Sequence, residues 1–441
     1  MTDNAYTKQP NDFTQNIGNG SYSTADSYVK QVWDGRYTGI RMCNQLLENI
    51  DRVPDLDPEL KKRYIGEAKV LRAYSYYELY TKFGDIPYTT KVLSIKESMS
   101  IARTAKATVI ANVLADLDEV INGNYLPTSY DADNKGRITR WAAMAIKAKI
   151  YLFEGNWTQV KNITSTIMTE GGFKLFGSYA GLFEIANEYN SEVILDAQYR
   201  PTSREHQMMY VFLPPTLGGY SQLSPLQELV DSYIMLDGKT IKETGTSFDE
   251  SHPYANRDPR LKATVMYTGN SYTLADGTEV VINCEKGEGK DGYGVGSDCS
   301  ATGYYIKKYW DNTYRATLYS GLNPILIRYA DILLMNAEAL AELGELDKTA
   351  WDATIKPIRD RAGFTLASAL EFPEGASKDK LIEIVRNERR SELALEGHRH
   401  KDIIRWRIAD NVLNGWCHGL KTNDVVGTDD GYVRVENRTF N

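Results

Sequence analysis

No run of about 18 consecutive apolar residues occurs in this sequence, so no segment reads as a membrane-crossing helix. Histidine is scarce, with five in 441 residues, which leaves few imidazoles for a zinc or general-base site. The four cysteines, Cys43, Cys284, Cys299 and Cys417, set no disulfide framework. Cys284 and Cys299 flank one Gly-rich stretch, where a small disulfide loop and two free thiols both fit. Positive charge is not in excess: 51 Lys plus Arg against 59 Asp plus Glu gives a net charge of −8. That balance argues against a general nucleic-acid binder, which needs a basic face to displace phosphate counterions, and leaves room for a local basic patch. The opening residues, MTDNAYTKQPNDFTQNIGNGSYS, contain no apolar core of a signal peptide.

What the sequence has in plenty is tyrosine, 30 against 11 Phe and 7 Trp. Tyrosine offers a flat apolar face with a hydroxyl at its edge, which suits surfaces that hold sugars or peptides. Amphipathic helix packing must account for most of the 30.

The first twenty or so residues are polar and read as irregular. Helical spacing then begins, with Trp33, Tyr37, Ile40, Leu47 and Ile50 on one stripe. Asp57 is placed to cap the next helix at Pro58, which runs to Gly84. Further helices are predicted over about Thr108–Ile121, from Thr139 to Gly155, and from Trp157 to about Met168. Two of them set small residues (Ala68, Ala73; Ala143, Ala148) one turn from aromatics (Tyr76, Tyr77, Tyr80; Tyr151, Phe153). That is the packing logic of tetratricopeptide repeats. From 192 to 320 the pattern turns irregular, with short strands predicted in EVILDAQY, KATVMYTG and TEVVINC. Helices return over 324–406: one opening at Pro324, one around Trp351–Arg361, one from Lys378 to Glu396. The tail after Trp416 is polar and Gly/Asp-rich. The fold class expected is mainly α, a single domain 1–441. It comprises a tetratricopeptide-like scaffold over 21–170, a loop-rich ligand-binding region over 192–320 with a few short strands, and helices over 324–406 completing the scaffold.

No constellation points to catalysis, a metal or a cofactor. Gly287, Gly289 and Gly292 match G-x-G-x-x-G, but no helical period follows to aim its dipole at a pyrophosphate. His398 and His400 are two apart and point away from each other on a helix. Glu388, Glu392 and Glu396 repeat at i, i+4 among arginines, which lower carboxylate pKa values, the wrong direction for a general acid. They read as a structural ion-pair network. What remains is aromatic. Tyr6 and Tyr22, with the polar Asp12 between them, lie in the polar N-terminal segment; Tyr220, Tyr254, Tyr272 and Trp310 lie in or beside the irregular region. Exposed rings of this kind pack on the C–H face of a pyranose while neighbouring amides and carboxylates bond its hydroxyls. These seven residues are the candidate ligand-binding set.

Seven blocks also resemble, in order, the SusD-like (SusD/RagB) family of outer-membrane nutrient-binding lipoproteins of Bacteroidetes. They are TDNAY, VWDGRYTGIRMCNQLLENI, GEAKVLRAYSYYELYTKFGDIPYTT, GRITRWAAMAIKAKIYLFEGNW, ANRDPRLKATV, IRYADILLMNAEALAELG and IVRNERRSELALEGHRHKDIIRW. The resemblance implies a helical scaffold with an irregular binding region and no enzymatic activity. It implies a protein lipid-anchored at the cell surface, passing oligosaccharides to a SusC-like TonB-dependent transporter, through an N-terminal anchor absent from this sequence. The family's binding residues vary, so none is carried over. Alternatives are the same scaffold taking peptides or another nutrient, a glycoside hydrolase, and a tetratricopeptide adaptor for protein partners.

Overall fold

A computed structural model describes residues 2–8, 13–314, 317–422 and 431–439. It divides into two compact units, Ser23–Phe173 and the rest of the described chain. The helices of 324–406 fall in the same unit as the irregular region.

The unit Ser23–Phe173 is built from helices Ser27–Asn49, Pro58–Phe83, Lys106–Asn122, Arg140–Phe153 and Trp157–Glu170, each packed on the next. Its helix starts are chemical. Asp57 accepts the Leu60 N–H at 2.8 Å with Pro58 in the first turn, and Thr139 accepts from Ala142 at 3.3 Å. Ala68, Ala73, Ala143 and Ala148 are buried, and Tyr77, Tyr80 and Phe153 meet edge to face among them.

The second unit holds five antiparallel strand pairs among the described residues: Ala5–Thr7 with Leu223–Pro225, Val193–Asp196 with Ile325–Arg328, Val265–Met266 with Tyr305–Ile306, Ser271–Thr273 with Glu279–Val281, and Gly415–Lys421 with Tyr432–Arg438. Helices Tyr329–Leu343, Lys348–Ala362 and Lys378–Glu392 pack against one another beside them.

Four local expectations are corrected. Ala5–Thr7 is a buried strand rather than irregular, tied by Leu226 N–H to Asn4 O at 3.0 Å. In KATVMYTG the first residues finish a helical turn, Pro259–Thr264, because Asp258 caps the Arg260 N–H at 2.9 Å; only Val265–Met266 is strand. Pro324 opens no helix: Ile325–Arg328 is a strand, and the helix starts at Tyr329. β-branched Ile325 and Ile327 suit the pleat, and the partner strand takes up the backbone donors. Part of the polar tail is a hairpin arm, Gly415–Lys421, whose inward Cys417 and Leu420 are buried.

Most of the tyrosine excess in this unit is structural. Tyr233, Tyr272, Tyr304 and Tyr305 form one core cluster with Leu229, Val265 and Ile282. The hydroxyls of Tyr272, Tyr304 and Tyr305 find partners inside, as Tyr304 Oη donates to Gln227 Oε1 at 2.6 Å. All four cysteines, Cys284 and Cys299 included, are buried free thiols. The Glu388, Glu392 and Glu396 carboxylates are buried against arginines as an ion-pair network.

Candidate functional site

The candidate aromatic residues part company. Tyr6 is buried with Leu226 and Cys417, its hydroxyl accepting from Gln15 Nε2 at 2.8 Å. Tyr272 is 0% exposed and donates to Ile306 O at 2.9 Å. A ring without an open face cannot stack on a sugar, so both leave the candidate set. Trp310 is half-buried, edge-on to Tyr272, with its indole N–H on Thr273 O at 3.0 Å. Tyr254 lies flat on Tyr267, centroids 3.9 Å apart, with its hydroxyl 3.1 Å from that of Tyr304. Tyr22 is exposed, but no contact joins it to the others among the described residues. Asp12 lies outside the described residues.

Tyr220 is different. It is 39% exposed and packs on Tyr210, which lines a cleft of about 540 Å³. The short helix Met208–Phe212 supplies Tyr210, and the chain then loops through Pro214–Pro215 and Gly218–Gly219. Tyr220 N–H returns to Tyr210 O at 2.8 Å and Gln222 N–H to Val211 O at 2.8 Å. The two rings therefore meet, centroids 4.6 Å apart. Their hydroxyls are linked: the bond to Tyr220 is the main reason Tyr210 is pushed up to about 12, with burial and the neighbouring Tyr220 charge adding to it.

Gly219 makes this loop possible. A Cβ there would sit 2.1 Å from Leu213 O, a backbone atom that cannot swing aside. Gly219→Ala is expected to push the Tyr220 limb off Tyr210 and lower stability by about 1–3 kcal/mol, read by urea unfolding; an unchanged midpoint would contradict the close approach.

The opposite wall is Thr317–Tyr319. Tyr319 is 46% exposed, and its hydroxyl accepts from Gln207 Nε2 at 2.5 Å. Ser320 and His206 exchange backbone bonds at 2.9 Å, which fixes Tyr319 beside Gln207. His206 Nε2 donates to Leu322 O at 2.8 Å, and its ring meets Tyr199 edge-on at 4.9 Å. Burial holds the His206 imidazole below its usual value. The cleft lining comprises Gln207, Tyr210, Leu217, Gly218, Thr317, Leu318 and Tyr319, and none of these carries a charge.

Of the sequence candidates, Tyr220 is the one the structure sets beside this cleft, through Tyr210; Tyr210, Tyr319 and Gln207, which line it, were not among them. A signal for Tyr210 was present in YVFLPPTLGGY: Pro-Pro and Gly-Gly bracket a tight return that sets its two terminal tyrosines side by side. Nothing in the sequence brings Tyr319 to them.

The arrangement can bind but offers no acid, base or nucleophile at the cleft. Among the described residues no cluster of three or more His, Cys, Asp or Glu is placed to hold a metal ion, and no helix is long and apolar enough to cross a membrane.

Comparison with known proteins places the fold. The chain is 28% identical to a SusD-like protein, P25, of Formosa agariphila over 409 residues, 87% of this chain and 71% of that protein. The crystal structure of a SusD-like carbohydrate binding protein from Bacteroides fragilis superposes with a TM-score of 0.88 at 28% identity, covering 100% of this chain and 87% of that one. A laminarin binding SusD-like protein superposes at 0.71 with 25% identity, covering 92% and 84%. A family model described as starch-binding associating with outer membrane matches residues 1–152. A second, for the SusD family, matches residues 182–439. With more than half its length matched by that second model, and its mainly α fold shared across the whole chain, this protein belongs to the SusD family.

Proposed function

We propose that the chain captures neutral oligosaccharides at the outer-membrane surface through the Tyr210–Tyr220–Tyr319 cleft and delivers them to a TonB-dependent, SusC-like transporter. The family consists of carbohydrate-binding proteins, not enzymes. The observation that carries the reading is the cleft itself: the exposed Tyr319 ring and the half-covered Tyr210 ring in its wall, Tyr220 packed on Tyr210, amide and hydroxyl groups beside them and no charge in the lining. Such walls offer apolar faces for the C–H side of a pyranose and edge groups for its hydroxyls. A peptide would bring charged termini and a polar backbone, for which this lining has no ionic partner. The names of similar proteins, a laminarin binder and a starch-binding family model tied to the outer membrane, support the ligand class and the location. Lipid anchoring and hand-over to the transporter follow from the same family reading.

Calorimetry with laminarihexaose, maltoheptaose and xylohexaose tests it. One of these should bind the wild type, and Tyr319→Ala and Tyr220→Ala should each weaken that binding about five- to tenfold, the worth of one stacked ring. Binding unchanged in the double variant, or turnover of the glycan seen by chromatography, would overturn the reading.

A further inference from the structure

A second cavity, about 410 Å³, shares no lining residue with the tyrosine cleft. It lies at the start of the hairpin arm Gly415–Lys421, and Trp416, 42% exposed, forms part of its wall. The Arg434 guanidinium lies 5.3 Å from the indole centroid and is not itself in the wall. It holds one side of the ring in place. A ring braced in this way has little rotamer freedom left to lose on binding.

The polar lining sorts into groups already committed and groups with capacity left. Asp3 is bound to Arg390 and Arg399, at 3.0 and 2.6 Å. Glu228 accepts the His418 backbone N–H at 3.1 Å and pairs with its Nδ1 at 2.7 Å. Asp231 spends Oδ1 on Gln227 Nε2 at 2.7 Å, and Asn387 spends its amide N–H on Ser232 O at 2.9 Å. The second oxygen of Asp231, the carbonyl of Asn387, the amide of Asn411 and the ammonium of Lys242 remain to the cavity. The wall carries three carboxylates, Asp3, Glu228 and Asp231, against two cations, Lys242 and Arg390, and Asp3 and Glu228 are already engaged by Arg390, Arg399 and His418. Burial holds the Asp231 carboxyl above its usual value. A carboxylate drawn out of bulk water is a stronger acceptor for a hydroxyl pair.

An aromatic face bordered by carboxylate, amide and ammonium groups of both signs complements a neutral polyhydroxylated ring. An anion would meet Asp231 and a cation would meet Lys242, each desolvated at a cost. We propose that this cavity is a second carbohydrate site, independent of the tyrosine cleft, which takes one or two neutral pyranose units against Trp416. The ligand class rests on the reading above; the residues do not.

Saturation-transfer NMR tests it on the full chain, with methyl glycosides of glucose, galactose, mannose and xylose as probes. Transfer to at least one glycoside is expected in the wild type. It should fall about fivefold or more in Trp416→Ala, drop in Asp231→Asn, survive in part in Trp416→Phe, and persist in Tyr220→Ala/Tyr319→Ala. Trp416→Phe guards against misfolding, since it keeps an aromatic on the hairpin and should leave the melting temperature in place. Transfer to none of the probes, or transfer that Trp416→Ala and Asp231→Asn leave intact, overturns the second site. Loss only in the tyrosine double variant does the same while sparing the cleft. Loss only in the Trp416 and Asp231 variants is the result expected for this site, and the cleft is then judged by the oligosaccharide calorimetry alone.

Discussion

Arg328→Met should cost about 3–5 kcal/mol of stability and lower the melting temperature by roughly 10 °C, the largest single-residue effect expected outside the hydrophobic core. Arg328 closes the strand Ile325–Arg328 and is 1% exposed. All five of its N–H groups are used: Nη1 donates to Glu192 Oε1 (2.7 Å) and Glu392 Oε1 (2.6 Å), Nη2 to Glu396 Oε1 (2.7 Å) and Glu392 O (2.8 Å), and Nε to Glu396 Oε2 (2.8 Å). Around it, Arg361 binds Glu192 and Glu392, Arg260 binds Asp258, Glu388 and Glu392, Arg359 binds Glu388, and Lys308 binds Glu396. Five acids therefore meet five bases in a space closed to water. Formed in full, such a network adds little net stability, because desolvation of each ion offsets the attraction. Broken at one member it is costly: methionine would fill the volume and leave Glu192, Glu392 and Glu396 short of a shared counterion. Lysine should rescue little, since one ammonium cannot span three carboxylates. Thermal and urea unfolding of Arg328→Met and Arg328→Lys check this; a midpoint within two or three degrees of wild type would show that the neighbouring arginines redistribute to cover the loss.

The same network shows what the sequence could tell. The spacing of Glu388, Glu392 and Glu396, with arginines alongside, was enough to read ion pairing rather than catalysis, because helical period fixes which side chains share a face. It could not supply Glu192, Arg260 or Arg328, which come from elements far along the chain. The helices of Ser23–Phe173 were legible for a related reason: their caps, at Asp57 and Thr139, and their small-against-large pattern are local. Strands such as Ala5–Thr7 and Ile325–Arg328 were not, since each is three or four residues long and is defined by a partner more than a hundred residues away. The site follows the same rule. Tyr220 and Tyr210 are ten residues apart across a turn that the sequence marks, whereas Tyr319 arrives through the His206–Ser320 bridge, a purely tertiary event. Residue type alone could not separate Tyr272, sealed in the core, from Tyr220, exposed beside Tyr210.

Acid should unfold this protein before it greatly disturbs its local helices. Burial by itself would raise Glu396, but Arg328 and Lys308 outweigh it and hold the carboxyl down at about 2; Glu392, buried among Arg361, Arg328 and Arg260, and Glu388, beside Arg260 and Arg359, are lowered by the same balance. An unfolded glutamate titrates near pH ~4.3. Between those values the unfolded chain takes up protons that the native one refuses, so this stability is fully present above pH ~4.3 and is lost as pH falls toward about 2. For Glu396 alone the difference is on the order of 3 kcal/mol. Lys308 runs the other way: burial outweighs its attraction to Glu396 and lowers it to about 8, below the ~10.4 of an unfolded lysine. Its charge is a burden in the native state that lifts as pH rises from about 8 to ~10.4, so it contributes no alkaline loss. Urea midpoints at pH 7, 5, 4, 3 and 2.5 should be flat over the first two and fall steeply over the last three. Glu396→Gln should begin lower at pH 7 and decline less steeply, because the group responsible for part of the slope is gone. A parallel decline in that variant would place the acid sensitivity on other carboxylates and leave the buried network titrating silently.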